Sequence, residues 1–342
     1  KEILQQLFDS DFNTIRYEIR FCLNKETNEH EIDEERVTLL RIIENFGLNP
    51  LMHNLHLISN SKTEPNSILN KEYDIDYYKQ IIEKTPKYFD NYNIETKLLN
   101  NNYFDYAMTF KLGSKKSALG NLPADETKFP ASTWLKSFLT EGIQTFILDS
   151  QNIKKASPPG QSKKFKTDGS NLPWVVENFK KNTKWFNLWI EHIQTAFPEI
   201  ETINTHLRED DKHRYLKVRY KNGIEIPSWL VSDGTLRLLA LTLPAYLPDF
   251  TGVCLIEEPE NGIHPQAIET AYQSLSSVYK AQILLATHSP IILSLVDYKD
   301  ILCFSKTKNG AVDIVKGDEH PKLKDWKGEE NLSIIFAGGI LS

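Results

Sequence analysis

Long apolar runs are absent from this sequence, and so is the start of a secretory signal. No segment approaches the roughly 18 consecutive apolar residues that a membrane-spanning helix requires. The first residues, KEILQQLF, do not combine a basic stretch with an apolar core, as a signal peptide does. Hydrophobic residues make up 40% of the 342 positions and charged residues 25%. This balance is typical of a soluble globular protein with one or two domains, and we expect no membrane partner.

Cysteine is scarce, with three residues far apart in the chain. Cys254 and Cys303 lie within apolar segments that are typical of strands, and Cys22 stands alone near the start. The apolar surroundings of Cys254 and Cys303 predict buried thiols in a reducing compartment. We therefore expect a cytoplasmic protein.

An excess of positive charge is also missing, because the formal net charge is -6. Proteins that coat nucleic acid uniformly depend on such an excess. The lysine-rich segment 154–166, KKASPPGQSKKFK, is a candidate for a local basic face that binds DNA. Its lysine, proline and serine content is more typical of a solvated mobile loop.

No segment matches GxxxxGK[ST], the glycine-rich loop that binds nucleotide phosphates in many ATPases. The nearest match, GSKKS at 113–117, lacks the second glycine before a Lys-Ser pair. The residues that follow it, SALGNLPADE, break a helix almost at once. We therefore do not assign 113–117 as a phosphate loop.

Residues 1–130 are predicted to mix strands with short helices. Alternating polar and apolar residues predict strands at 14–23 and 102–113. Apolar residues at helical spacing predict helices at 34–47 and 74–86.

Helices dominate the predicted structure of 131–200. Ser132 is expected to cap a helix that continues to Asp149, and a second helical region is expected from Leu172 to Phe197. The tryptophans of the second region recur at helical spacing, which indicates packing rather than a platform for stacking bases.

Strands and helices alternate from residue 201 onward. Strands at 204–210 and 214–220 come first, and Asn222-Gly223 is typical of a hairpin turn. The remainder is predicted as helix 234–246, strand 252–257, helix 265–279, strand 282–287, helix 290–296 and strand 300–305. Such alternation predicts an α/β fold whose parallel sheet is covered by helices on both faces and binds ligands at the carboxyl ends of its strands.

The predicted strand 252–257 ends at two consecutive acids, Glu257 and Glu258. A Mg²⁺–nucleotide complex needs a hard oxygen ligand, and hydrolysis needs a carboxylate that orients or deprotonates the attacking water. We assign Glu257 to the metal through water and Glu258 to the attacking water, because consecutive side chains diverge at a strand end. The alternative is that EEPE forms the acidic first turn of the following helix.

Two further segments fit the same chemistry. In THSP, His288 follows the predicted strand 282–287, where it can reach a γ-phosphate; the alternative is a polar loop residue. In VSDGT, Ser232 is a candidate cap of an apolar helix whose free N–H groups form an anion site. The alternative there is an ordinary capped helix.

The order of these segments resembles the carboxy-terminal half of ABC-type ATPase heads in the SMC, RecF and overcoming-lysogenisation-defect (OLD-like) group, which are P-loop NTPases. VSDGT is similar to the signature motif and LIEEP to the Walker B strand, while ENGIH and THSP are similar to the D-loop and the switch-histidine loop. The resemblance implies ATP and Mg²⁺ as ligands, with Glu258 and His288 as the catalytic residues.

The resemblance also implies a dimer, because heads of this group associate face to face around ATP. The residues that would face the partner are those of the signature motif and the D-loop: Ser232, Asp233, Gly234, Asn261 and His264. Glu257 stands where aspartate is commoner, which lengthens a water-bridged metal contact. His264 stands in place of the D-loop aspartate, which puts in doubt any D-loop role that needs a carboxylate.

Family order places the phosphate loop ahead of Lys1, before a helix that 1–8 could continue. The resemblance then implies three parts: the remainder of the first ATPase lobe at 1–130, a compact helical insertion at 131–200, and the signature, Walker B and switch-histidine part of the core at 201–342.

A further cluster in VDIVKGDEHP comprises Asp313, Asp318, Glu319 and His320. A metal or nuclease site is one hypothesis, because Toprim-type nucleases carry acidic pairs at strand ends. A charged turn is the simpler interpretation.

The leading hypothesis is a head-only ATPase that forms a homodimer or higher oligomer on nucleotide and regulates a separate effector or nuclease subunit. Its compact insertion resembles ATPase subunits of prokaryotic anti-phage defence systems, and the defence role depends on this resemblance alone. Two alternatives stay open: a RecF-like DNA-repair ATPase that holds DNA across the dimer, and a non-hydrolysing scaffold or sensor. Intact Glu258 and His288 count against the latter.

Overall fold

The computed structural model describes residues 12–42, 75–85, 90–95, 108–306, 308, 310, 312–320 and 323. The chain forms two compact units, one of residues 1–140 and 304–315 and one of residues 141–303 and 316–342. None of the helices in the described part has the length and the apolar character that crossing a bilayer requires.

The first unit is built on a five-stranded antiparallel sheet in which neighbouring strands follow one another along the chain, as in a β-meander. The strands are β1 (Thr14–Asn24), β2 (Glu29–Ile42), β3 (Ile75–Lys84), β4 (Asp90–Tyr92) and β5 (Met108–Phe110). The predicted strand 14–23 is confirmed, and 108–110 of the predicted strand 102–113 is a strand.

The predicted helices 34–47 and 74–86 are wrong, because their described residues lie almost entirely in β2 and β3. Residues 43–47, 74, 86 and 102–107 of the predicted elements lie outside the described residues. In β2 the alternation of buried and partly buried side chains, a period of two, holds from Glu34 to Val37, and every residue from Val37 to Leu40 is buried. Since β2 pairs with a strand on each side, sheet pairing decides between the two periods.

The helix α1 (Pro130–Ser137) begins before its predicted cap, Ser132. The carboxylate of Glu95 takes the capping role instead, since it accepts hydrogen bonds from the backbone N–H groups of Ala131 and Ser132 at 2.5 and 2.9 Å. A carboxylate at this position is favoured by the helix dipole. Burial nevertheless raises the pKa of Glu95.

The helix predicted to run from Ser132 to Asp149 ends early. A π-helical turn at Phe138–Gly142 leads into the strand β6 (Ile143–Phe146). The β-branched residues Ile143 and Thr145 favour a strand here. The segment 131–200 is therefore not wholly helical.

Three helices and a second antiparallel sheet follow β6 in the second unit. They are α2 (Ser150–Lys154), α3 (Leu172–Phe179), α4 (Thr183–Ala196), β7 (Ile200–Leu207), β8 (Arg214–Tyr220) and β9 (Glu225–Pro227). The predicted helical region and the predicted strand 214–220 are confirmed, and 204–207 of the predicted strand 204–210 lie in β7. Gly223 has the positive φ of +86° that a tight turn requires. Trp189 is fully buried and its Nε1 donates to Thr242 Oγ1 at 2.9 Å, which confirms packing for this tryptophan.

The predicted alternation beyond residue 232 is confirmed. Its elements are α5 (Asp233–Thr242), β10 (Gly252–Glu257), α6 (Pro265–Ser276), β11 (Ala281–Ala286), α7 (Pro290–Leu295) and β12 (Leu302–Lys306). Strand β12 forms a two-stranded sheet with β13 (Val312–Lys316).

The central sheet of the second unit is parallel, with β10 between β11 and β6. Cys254 and Ile256 of β10 enter a core that also contains side chains of α3, α4, α5 and α6. Ile143 and Leu284, on the opposite face, are 36% and 41% exposed. The described helices therefore cover one face, not both, and the predicted boundaries 1–130, 131–200 and 201–342 stay predictions.

Candidate active site

The two consecutive acids lie at the carboxyl end of the central strand. Glu257 is the last residue of β10 and Glu258 follows it, and both side chains are exposed. Glu258 has φ +44°, in the left-handed region that residues other than glycine rarely adopt. Its N–H donates to the carbonyl of Ala286, the last residue of β11, at 2.8 Å. The strained backbone of Glu258 is thus fixed to the neighbouring strand, a feature that recurs at functional sites.

The side chain of Glu258 is also held within its own turn. The Asn261 side-chain amide donates to Glu258 Oε2, and the Asn261 backbone N–H donates to the Glu258 carbonyl at 3.0 Å. One oxygen of the carboxylate is therefore oriented by a neutral donor.

The acidic residues do not form the first turn of the following helix. Helix α6 begins at Pro265, and its first turn contains no acidic residue. His264 caps this helix, because its Nδ1 accepts a hydrogen bond from the Gln266 N–H at 3.3 Å. The alternative for EEPE is therefore wrong, and the acids belong to the turn between β10 and α6.

The switch-histidine segment lies beside this turn, since Glu257 and Ala286 are paired residues of β10 and β11. Thr287 Oγ1 donates to Glu260 Oε1 at 2.7 Å and accepts from the Ser289 N–H at 2.9 Å. His288, between them, has an exposed side chain. The structure therefore brings Glu257, Glu258 and His288 to adjacent strand ends, as predicted from a parallel sheet.

The signature segment packs against the same turn. Ser232 caps α5 as predicted, with its Oγ accepting from the Thr235 N–H at 3.1 Å. A Cβ on Gly234 would lie 2.7 Å from the carbonyl oxygen of Gly262. Glycine is therefore required at 234 by the close approach of the turn backbone.

Arg237 was not identified from the sequence. Its guanidinium donates to the carbonyl of Asn261 at 3.0 Å, to the carbonyl of Leu148 at 3.2 Å and to Ser150 Oγ at 3.2 Å. It thereby attaches α5 to the turn that carries Glu258. The available signal was a single basic residue within the apolar segment LRLLAL.

The acidic turn and α5 provide groups that fit a Mg²⁺–nucleotide complex. Exposed carboxylates suit a hard cation, and the exposed start of α5 at Ser232 suits an anion. Asp233 forms an ion pair with Lys154, which offsets the negative charge at this helix start. In the described part of the chain no three His, Cys, Asp or Glu side chains form a metal-binding group.

The segment nearest to a phosphate loop, 113–117, ends at a carboxylate that binds Ser117 and the two residues after it. The carboxylate of Glu35, fully buried, accepts hydrogen bonds from the N–H groups of Ala118 and Leu119 at 2.6 and 3.0 Å and from Ser117 Oγ at 2.7 Å. The donors at the end of this segment and immediately after it therefore bind a carboxylate of β2.

The acidic cluster 313–320 spans the strand β13, which contains Asp313, and the turn at 317–319 that follows it. The N–H of Glu319 donates to the Lys316 carbonyl at 3.0 Å, and the N–H of His320 donates to the Gly317 carbonyl at 3.3 Å. Neither these residues nor any others that the structure describes group three or more His, Cys, Asp or Glu side chains for a metal. The simpler interpretation, a charged turn, agrees with the structure at Asp318 and Glu319 but not at Asp313, which lies in β13.

The lysine-rich segment 154–166 is anchored at its second half. The buried Asn171 donates to the carbonyls of Ser162 and Lys164 at 2.9 and 2.7 Å and accepts from the Lys166 N–H at 2.9 Å. The exposed lysine side chains are those of Lys155, Lys163, Lys164 and Lys166.

Comparison with sequence families gives a match to residues 61–294, more than half of the chain. The matching family is described as "AAA domain, putative AbiEii toxin, Type IV TA system". A search of curated proteins returns no match.

Solved structures with similarity to the chain include heads of SMC proteins. An SMC head bound to the C-winged helix domain of ScpA is 10% identical, with a TM-score of 0.40 over 83% of this chain and 74% of that chain. A structure described under "ATP-driven dimerization and DNA stimulated activation of SMC ATPases" is 12% identical, with a TM-score of 0.34 over 46% of this chain and 98% of that chain. A Pyrococcus furiosus Smc head with an extended coiled coil, bound to the C-terminal domain of ScpA, is 13% identical, with a TM-score of 0.31 over 44% and 40%.

Proposed function

The chain belongs to this family of AAA domains, and we propose on that premise that it binds and hydrolyses ATP in complex with Mg²⁺. AAA domains are α/β P-loop NTPases, which agrees with the parallel sheet of the second unit. The observation that carries the proposal is the pair of exposed carboxylates at the carboxyl end of the central strand, with Glu258 in a left-handed conformation. Parallel sheets bind ligands at this edge.

Glu258 is the proposed catalytic residue that orients the attacking water and accepts its proton. Its backbone is fixed to Ala286, and its Oε2 accepts from Asn261, so the carboxylate has one defined position. General base catalysis by a positioned carboxylate contributes about 10²- to 10⁴-fold to a reaction.

Glu257 and His288 complete the proposed catalytic set. Glu257 would hold Mg²⁺ through water, and bound Mg²⁺ supplies charge neutralisation at the phosphates. His288, exposed beside the same strand ends, would donate a hydrogen bond to the γ-phosphate. Both side chains belong to the adjacent ends of β10 and β11, which supports a shared ligand.

We propose that the protein forms a dimer on ATP in which each active site includes the signature segment of the partner. In this arrangement Ser232, Asp233 and Gly234 contact the partner's ATP, and Asn261 and His264 lie at the dimer interface as the D-loop. The exposure of Ser232 and Asp233 supports this role. His264 can contribute there as a helix cap, although it lacks a carboxylate.

The proposed output of this cycle is regulation of a separate effector or nuclease subunit in the cytoplasm of a prokaryote. The words "putative AbiEii toxin, Type IV TA system" in the family description support a regulatory role of this kind. An anti-phage defence role is the form of this proposal that agrees best with the resemblance to OLD-like defence ATPases.

The test is ATP turnover and subunit association of the Glu258→Gln variant of the full-length protein. We expect turnover to fall about 10²- to 10⁴-fold, while ATP stays bound and the dimer persists in size-exclusion chromatography. Glu209→Gln, at an exposed glutamate in the turn between β7 and β8, is the matched control and should leave turnover unchanged. Turnover unaffected by Glu258→Gln would falsify the catalytic assignment. ATP binding without turnover in the wild type would favour the non-hydrolysing sensor.

DNA binding in the manner of RecF is a second candidate, favoured by the exposed lysines of 154–166. Binding through phosphates weakens steeply as salt increases. We expect the Lys163→Glu, Lys164→Glu double variant to weaken such binding and flatten its salt dependence, as measured by fluorescence anisotropy with duplex DNA. Absence of salt-dependent binding in the wild type would exclude this candidate.

A further inference from the structure

Glu260 is the third acid of the turn after β10, and the proposed chemistry does not use it. Unlike Glu257 and Glu258, its side chain is half-buried. Its Oε1 accepts the hydrogen bond from Thr287 Oγ1 at 2.7 Å. Its Oε2 is buried and has no hydrogen-bond partner among the described residues. A buried carboxylate oxygen without a donor is uncommon and calls for a physical explanation.

The surroundings of Glu260 are otherwise apolar. It lines a small cavity together with Ile268, Tyr272, Leu285 and Ile292. Burial in such surroundings penalises a carboxylate unless a hydrogen bond compensates. The Thr287 hydroxyl is the donor that fixes the orientation of Glu260, and Glu260 in turn fixes the hydroxyl.

The Thr287 hydroxyl links Glu260 to the backbone on the carboxy-terminal side of His288. It accepts a hydrogen bond from the Ser289 N–H at 2.9 Å, and Ser289 in turn is the capping residue of α7. On the near side, the Ala286 carbonyl accepts from the Glu258 N–H at 2.8 Å. The backbone on both sides of His288 is thus attached to the turn that carries Glu258.

We propose that Glu260 is the positioning residue for His288: through Thr287 it holds the backbone that carries the imidazole at a fixed place relative to Glu258. This inference rests on the proposed function, in which His288 contacts the γ-phosphate. In this role Glu260 acts through the Thr287 hydroxyl and not by contact with the nucleotide. Its loss therefore affects the chemical step and leaves the affinity for ATP nearly unchanged.

The first test compares turnover in variants that remove or keep the hydrogen bond. Glu260→Ala and Thr287→Val remove it, and we expect kcat to fall between about tenfold and a hundredfold with little change in KM, as for a misplaced catalytic group. Glu260→Gln and Thr287→Ser keep an acceptor and a hydroxyl, and should retain most of the wild-type kcat. Equal losses in the removing and the keeping variants would overturn the proposal.

The second test asks whether Glu260 acts through His288. In a His288→Ala background the further change Glu260→Ala should leave kcat unaltered, because the group that it positions is already gone. Multiplicative losses in the double variant would contradict the proposal while leaving ATP hydrolysis itself established.

The third test does not depend on catalysis. Hydrogen exchange of the Ser289 amide should accelerate about tenfold or more in Glu260→Ala, because the hydroxyl that accepts from it is released. Unchanged exchange would overturn the positioning role even if the protein does not hydrolyse ATP. Accelerated exchange without any ATP turnover in the wild type would instead reject the proposed function and retain the structural link.

Discussion

Gly234→Ala probes the contact between the signature segment and the turn that carries Glu258. The added Cβ would lie 2.7 Å from the Gly262 carbonyl oxygen and 3.5 Å from Ile263 Cα. A carbon and a carbonyl oxygen are comfortable at about 3.3 Å, so the two backbones must separate by about 0.6 Å. Neither backbone is the flexible end of a side chain, and the turn must therefore move with α5.

The expected effect of Gly234→Ala on stability is small. Overpacking costs about 1 to 3 kcal/mol, and replacing glycine by alanine within a helix returns about 1 kcal/mol. The net loss of about 0 to 2 kcal/mol lowers Tm by at most about 8 °C, since 1 kcal/mol corresponds to about 2 to 4 °C in a domain of this size. Differential scanning calorimetry measures this shift.

The expected effect of Gly234→Ala on turnover is larger. A displacement of 1 Å in a catalytic group costs about 10²-fold, so a shift of about 0.6 Å at Glu258 should lower kcat by about tenfold. Gly120→Ala, where the nearest atom would lie at 3.4 Å and φ is not positive, is the matched control and should leave kcat unchanged. If Gly234→Ala changes neither Tm nor kcat, the argument that this glycine is required by the approach of the turn is refuted.

Two further predictions concern buried groups. Burial raises the pKa of the Cys254 thiol to about 12 and also raises the pKa of the Cys303 thiol. Maleimide should therefore label the exposed Cys22 quickly and the two buried cysteines only when the protein unfolds. Fast labelling of all three cysteines in the folded protein would contradict the packing. Burial lowers the pKa of His192, whose Nδ1 is hydrogen-bonded to Tyr246 Oη at 2.7 Å. As the pH falls, the imidazole therefore binds a proton in the unfolded chain before it does so in the folded chain. Stability should fall as pH drops below about 6.5, and His192→Gln should flatten that fall in urea titrations; an unchanged pH dependence would count against the neutral, buried imidazole.

The central sheet and its acids could be predicted because the evidence for them is local. The strand 252–257 coincides with β10, since an apolar run bounded by a glycine and two acids is short and unambiguous. Ser232 was identified as a cap because its hydroxyl acts within three residues of its own position. The position of His288 at a strand end could be predicted in the same way, because this histidine comes directly after an apolar strand.

The sequence-based predictions are wrong where residues distant in the sequence determine the local structure. The segments 34–42 and 75–84 have apolar residues at both periods, and only their pairing within one sheet makes them strands. The cap of α1 is Glu95, far from the helix in sequence. Likewise, the bonds of Arg237 and Glu260 join elements that only the fold brings together.

Complementation between two inactive variants tests the central claim, an ATP site composed of the Glu258 turn of one subunit and the signature segment of its partner. Ser232→Arg obstructs the signature side and Glu258→Gln disables the catalytic side, so a homodimer of either variant has no intact site. Equal co-expression should produce mixed dimers with one intact site each, and turnover should recover to about a quarter of the wild-type rate. If the turnover of the co-expressed mixture equals only the average of the two variants measured separately, the composite site is contradicted.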